Sequence, residues 1–106
     1  MPTVISSGTT TSTAAETVLA SDTANHTYVL AIDTAAMLNG DIIELRLKSV
    51  VLSGGSTGLA YYAAYAHVQA EPIKFSVPVP ANISISATLK RVAGTDRAYP
   101  WSLLSL

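Results

Sequence analysis

Cysteine is absent from this chain, charge is sparse, and no apolar run is long. Without cysteine there is no disulfide, no thiolate nucleophile and no Cys-ligated zinc, so the folded state must be held without covalent staples. Only 12% of residues carry charge, about half of the ~25% usual in globular proteins. Six Lys and Arg against seven Asp and Glu leave a formal charge of −1. No basic stripe is available to neutralise phosphates, and Lys90, Arg91 and Arg97 make only a small local cluster, so nucleic acid is not an expected partner. No stretch approaches the ~20 apolar residues of a membrane-spanning helix. The N-terminus, MPTVISSGTTTST, lacks the basic start and apolar core of a signal peptide. The expectation is a protein made in the cytoplasm, with no membrane partner.

Recognisable reaction chemistry is also missing. His26 and His67 are far apart and have no metal-ligand spacing, and no HExxH helix occurs. Serines are abundant, yet none sits in a GxSxG elbow. Glu16, Glu44 and Glu71 do not form an evident pair for glycoside hydrolysis. The glycine-rich run Ser53–Gly58 lacks the Lys-Ser/Thr of a phosphate-binding loop and the glycine spacing of a dinucleotide site, so it reads as a hairpin loop. The sequence therefore predicts no catalytic residues, no metal site and no cofactor.

What the chain does have is alternation. In ISISATLKRVAGTDRAYPW, Ile83, Ile85, Ala87 and Leu89 point one way while Ser84, Ser86, Thr88 and Lys90 point the other, as successive residues of a strand must. A glycine turn and a second apolar run follow, which together read as a β-hairpin. Tyr28, Leu30 and Ile32 share one face of a second strand. Ile43, Leu45 and Leu47 share the inner face of a third, whose outer row is Glu44, Arg46 and Lys48. Alternating charges on such a row are the usual dress of a solvated strand. Asp33–Gly40 offers a capping Asp, helix formers and a terminal Gly, which predicts one turn of helix between strands.

Leu59–Gln69, LAYYAAYAHVQ, fits a strand or an alanine-rich helix; the preceding loop and following prolines favour strand. Its tyrosines either pack the core or, with Trp101, offer a ring platform for a sugar, so that a carbohydrate- or receptor-binding module is the competing reading. Pro78 and Pro80 keep IKFSVPVP extended, as an edge strand or a strap between subunits. Residues 1–13, mostly Ser, Thr and Gly, read as a flexible N-terminal arm, either frayed or ordered across a neighbouring subunit. At 106 residues the remainder fits one domain, residues 14–106. The fold class expected is all-β, an antiparallel β-sandwich of about seven strands. Low charge and weak mutual repulsion point to apolar surface covered by other copies, a homo-oligomer; the alternative is a monomer to which the many Ser and Thr residues give enough neutral polarity.

Two segments, YVLAIDTAAMLNGDIIELRLKSVVLSGG and LKRVAGTDRAYPWSL, resemble small virion proteins of tailed bacteriophages and gene transfer agents. In that group a strand ending in Ile-Asp leads through a short turn to Gly-Asp and a long alternating strand, and the chain closes with Gly-Thr, an aromatic-Pro pair and Trp. The resemblance spans Tyr28 to Leu104 loosely and contains no catalytic motif. It implies a non-enzymatic structural role in the virion: a capsid decoration or cement protein, or a small head or tail component, with the major capsid protein or other virion proteins as partners. On that reading Val4, Ile5, Phe75, Pro78 and Pro80 contact adjacent subunits, and Tyr99 and Trp101 pack a core or a subunit seam.

Overall fold

The computed structural model describes residues 2–106. They form nine strands: β1 (Thr3–Thr11), β2 (Thr17–Asp22), β3 (His26–Asp33), β4 (Ile42–Val50), β5 (Gly58–Ala66), β6 (Ile73–Phe75), β7 (Val79–Ala81), β8 (Ser84–Ala93) and β9 (Ala98–Ser105). Every pairing is antiparallel. Sheet A has the order β1-β9-β3-β6, with β7 also bonded to β3; sheet B has the order β2-β8-β4-β5. The two sheets make an all-β sandwich. Two more strands are present than the sequence suggested, because IKFSVPVP breaks at Pro78 into two short pieces and the N-terminal segment is itself a strand.

Alternation decides which side of each strand is dry. Tyr28, Leu30 and Ile32 of β3 and Tyr99, Trp101 and Leu103 of β9 face Ile43, Leu45 and Leu47 of β4 and Ile85, Ala87 and Leu89 of β8 across the core. Met37 seals one end. Each fully buried side chain of this size contributes about 1.5–3 kcal/mol by leaving water.

Three local expectations are corrected. The segment expected as a flexible arm is an edge strand, in register with β9 from Thr3 against Ser105 to Thr11 against Ala98, with a bulge between Val4 and Ser6. Its Ser and Thr side chains suit a strand that has only one neighbour, and the polarity of residues 1–13 said nothing about the ladder that a full-length β9 offers. The run from Ile83 to Trp101 is not a hairpin: β8 lies in sheet B and β9 in sheet A, so the glycine turn crosses between sheets. Both strands are apolar on the inner side, and facing each other across the core buries both stripes at once. Asp33–Gly40 forms turns rather than a helix. There Thr34 is tied down by its N–H and hydroxyl, both donated to Pro72 O at 2.8 and 2.6 Å.

The crossing turn is fixed by a buried carboxylate. Asp41, only 3% exposed, accepts from Leu38 N–H (2.9 Å), from Thr95 N–H (3.1 Å) and from Arg97 Nε. Gly94 has φ +88°, and a Cβ there would lie 2.2 Å from Asp41 Oδ1, so both its backbone and its missing side chain are needed. Arg97 and Ser12 exchange hydrogen bonds: Ser12 N–H donates to Arg97 O at 2.8 Å, and Arg97 N–H to Ser12 Oγ at 3.1 Å. One carboxylate thus joins the β3–β4 connection to the β8–β9 turn, and Arg97 carries the tie on to the end of β1. The donated N–H groups of Leu38 and Thr95, with the Arg97 guanidinium, hold its carboxyl down at about 2.

Candidate assembly surface

The outer side of sheet A is set by the same registers that build its core. Since Tyr28, Leu30, Ile32, Tyr99, Trp101 and Leu103 point inward, Val29, Ala31 and Asp33 of β3 and Pro100, Ser102 and Leu104 of β9 point outward. Cross-strand pairing adds Val4 opposite Leu104, Ile73 opposite Asp33, Phe75 opposite Ala31 and Pro80 opposite Thr27. Ile73, Phe75 and Val4 are all more than half exposed. Asp33 is the one charged side chain this register places on the face, and it accepts from Ala35 N–H at 2.9 Å. A shallow cleft of about 190 Å³ opens there, lined by Ile73, Asp33, Pro100, Ser102 and Trp101. A strand face of this kind lacks the charge that normally keeps an exposed sheet solvated.

Sheet B presents the opposite surface. Glu16 accepts from Lys48 Nζ at 2.7 Å and from the Thr88 hydroxyl at 2.8 Å, and its carboxyl is held below the usual range by the bond to Lys48 first. Arg46 donates to Glu44 Oε1 at 3.1 Å and lies 5.1 Å from the centre of the Tyr62 ring. Glu44 in turn accepts from the Tyr62 hydroxyl, which lowers the carboxyl and raises the phenol. Thr88 points outward yet is only 2% exposed, because this ionic layer covers it. Lys90 and Leu59 complete the rim of an open groove of about 300 Å³. The outward row Glu44, Arg46 and Lys48 is therefore where alternation put it, paired with its own neighbours.

The residues expected at an interface fall into three groups. Val4, Phe75 and Pro80 lie together on the outer side of sheet A, and Pro78 is exposed in the link between β6 and β7. Ile5, beside the β1 bulge, is half-buried against the core. Tyr99 and Trp101 are core residues, 0% and 8% exposed, so neither is a seam residue of this fold. Trp101 donates its indole N–H to Thr10 Oγ1 at 2.8 Å, and its ring packs against Gly8. The Tyr99 hydroxyl is buried without a partner among the described residues.

Sequence reasoning missed Val29, Ile73, Pro100 and Leu104. The signal was present as two apolar faces in WSLLSL and AYPW, but it becomes readable only once the inner set is known.

The rings that suggested a sugar platform do not share a surface. Tyr61 and Tyr65 point inward from β5, Tyr62 points outward beneath Arg46, and Trp101 sits in the other sheet. Lys74 of β6 places its ammonium 5.5 Å from the centre of the Tyr65 ring. His26 packs edge-on against Tyr28 at 5.7 Å. His67, held at φ +65°, accepts from Gly40 N–H through Nδ1 at 2.9 Å and donates its own N–H to Asp41 O at 2.7 Å. Each histidine thus has a structural setting, and the two belong to different parts of the fold. Comparison of the chain with protein-family models, with curated proteins and with solved structures gave no match.

Proposed function

We propose that this protein is a non-enzymatic structural subunit of a virus particle, a capsid decoration or cement protein that lays the outer side of sheet A on the major capsid protein or another virion protein. The observation that carries the reading is the contrast between the two outer surfaces: on one side a nearly uncharged strand face of apolar side chains and hydroxyls, with Val4, Ile73 and Phe75 exposed beside Ser7, Thr9 and Thr11, and on the other a self-paired ionic layer. Such a two-sided sandwich suits attachment, with one face toward a larger shell and the other toward water. The virion setting rests on the sequence resemblance described above. Symmetric particles also multiply a modest contact, since every copy is held in place beside others.

Purified particles from cells expressing the chain provide the test, read by mass spectrometry. The expected result is a fixed ratio of this chain to the major capsid protein, and loss of that signal for the double variant Ile73→Lys/Phe75→Lys, whose circular dichroism stays native. Absence of the wild-type chain from particles, or full retention of the double variant, would overturn the proposal.

A further inference from the structure

The edge strands of the two sheets lie side by side: β1 is in contact with β2, and β6 reaches β5 through Lys74 over the Tyr65 ring. Most of these edges are interrupted. β6 and β7 are three residues each and are separated by Pro78, with Pro80 inside β7. β2 has six residues and a bulge between Val18 and Ala20, and β1 has its bulge between Val4 and Ser6. Short strands, prolines and bulges are the devices that keep edges from pairing with other chains. β5 differs. Its one register shift, at Ala60, lies near its start, the pairing with β4 is unbroken from Tyr61 to Ala66, and Gly58–Ala70 contains no Asp, Glu, Lys, Arg or Pro.

The hydrogen-bond pattern identifies which groups on this edge are free. His67 N–H bonds to Asp41 O, continuing the register in which Tyr65 opposes Ile43, Ala63 opposes Leu45 and Tyr61 opposes Leu47. Bonded pairs recur at every second residue of an antiparallel ladder. The odd-numbered residues therefore bond to β4, while Tyr62 and Ala64 aim free N–H and C=O groups away from the sheet; Ala66 points the same way, but its C=O accepts from Gln69 Nε2 at 2.8 Å.

We infer that the occupant of this edge is β5 of a second copy of the chain, paired antiparallel about a two-fold axis through Ala63. In that register Tyr62 of each copy stands opposite Ala64 of the other as a bonded pair, so a large side chain meets a small one on the outer surface. Ala63 meets Ala63, and Tyr61 meets Tyr65, which brings the half-buried rings together on the inner surface, where cross-strand aromatic pairs add stability. The absence of charge along Gly58–Ala70 lets two identical edges approach without repulsion. Antiparallel order also sets the β4–β5 tip of each copy beside the far end of the other β5. That tip exposes Val51 at 88% and Leu52 at 74%, and the far end exposes Val68 at 56%. The contact is isologous and closes as a dimer with a continuous eight-stranded sheet formed from two copies of sheet B. It leaves the outer side of sheet A free, and so does not depend on what that face binds.

Sedimentation velocity of the full-length chain over a concentration series tests the pairing. The wild type is expected to be a dimer at high concentration, and Ala64→Lys, on an exposed outward position opposite Glu44, is expected to weaken self-association by about tenfold or more. Because the chain has no cysteine, a single Ala63→Cys substitution reports the axis directly: mild oxidation should give a disulfide-linked dimer, since directly opposed strand positions bring Cα atoms within bonding range. Cysteine placed at Ala15, in the β1–β2 connection, should not. A wild type that stays monomeric at high concentration, a dimer unaffected by Ala64→Lys, or equal cross-linking at positions 63 and 15 would overturn the inference. Particle binding through sheet A is read separately, with Ile73→Lys/Phe75→Lys, so the two proposals fail independently.

Discussion

The outer sides of the two sheets are made from the same alternating strands, yet sheet B places Glu16, Glu44, Arg46, Lys48 and Lys90 on its surface and sheet A places only Asp33. Four of these charges, Glu16, Glu44, Arg46 and Lys48, pair with one another, and this layer covers Thr88 and keeps sheet B wet. On sheet A, Val4, Ile73 and Phe75 are more than half exposed on a face that carries few charges to hold water. The difference teaches that burial inside a sandwich and readiness for burial outside it are written in the same period-two pattern, one residue out of phase. It also separates two uses of charge. At Asp41 a carboxylate is buried and joins sheets, whereas at Glu16 it lies on the surface and dresses one.

The largest expected effect follows from that separation. Asp41→Ala leaves Arg97 and the N–H groups of Leu38 and Thr95 without their acceptor, and urea denaturation should show a loss of about 3 kcal/mol or more. A small loss would mean that Asp41 belongs with the surface charges.

Acid should act through the same group. The Asp41 carboxyl is held at about 2 in the fold against an ordinary value of 3.8. A depressed carboxyl contributes its stability above the unfolded value and loses it as pH falls through the folded one. The contribution, about 2 kcal/mol, is therefore complete above roughly pH 4 and gone below about pH 2. Melting temperatures across this window should fall in the wild type, and the fall should be much shallower in Asp41→Asn.

Surface charge should matter less. Glu16→Gln removes the partner of Lys48 and Arg46 on a face that water reaches, and is expected to cost under about 1 kcal/mol, shrinking as salt rises. A loss comparable to that of Asp41→Ala would show that the layer over Thr88 holds sheet B together.

The smallest effect is expected at Tyr99. Its buried hydroxyl has no partner among the described residues, so Tyr99→Phe should leave stability within about 0.5 kcal/mol of wild type or raise it. A clear loss by calorimetry would reveal a hydrogen bond at the inner side of sheet A.

Much of this architecture was legible along the chain. Tyr28, Leu30 and Ile32, like Ile43, Leu45 and Leu47, fall on the inner side because alternate residues must, and the charged row on β4 is outward for the same reason. The LAYYAAYA segment is a strand despite its alanines, since β4 gives it a ladder. Local pattern failed where a partner far along the chain decided the outcome. Thr3–Thr11 becomes a strand because β9 has an open side for it, and Ile83–Trp101 fails to be a hairpin because each half finds better burial in a different sheet. The candidate surface was half visible: Val4, Phe75 and Pro80, expected at contacts on the virion reading, lie on the outer side of sheet A, and of the two settings expected for Tyr99 and Trp101, a core or a subunit seam, the fold has the core.

Residue order alone was enough to make this protein all-β, to assign the residues of each strand that share a side, and to leave out disulfides and long apolar runs. Those properties follow from the two-residue repeat of an extended chain and from composition, and neither needs a partner. Only the tertiary structure decided which strands are neighbours, which of two apolar sides is covered, and that Asp41 would be buried among donors from the β3–β4 and β8–β9 connections. The reason is that strand pairing joins residues distant along the chain, so the identity of the neighbour is a property of the whole fold rather than of any segment.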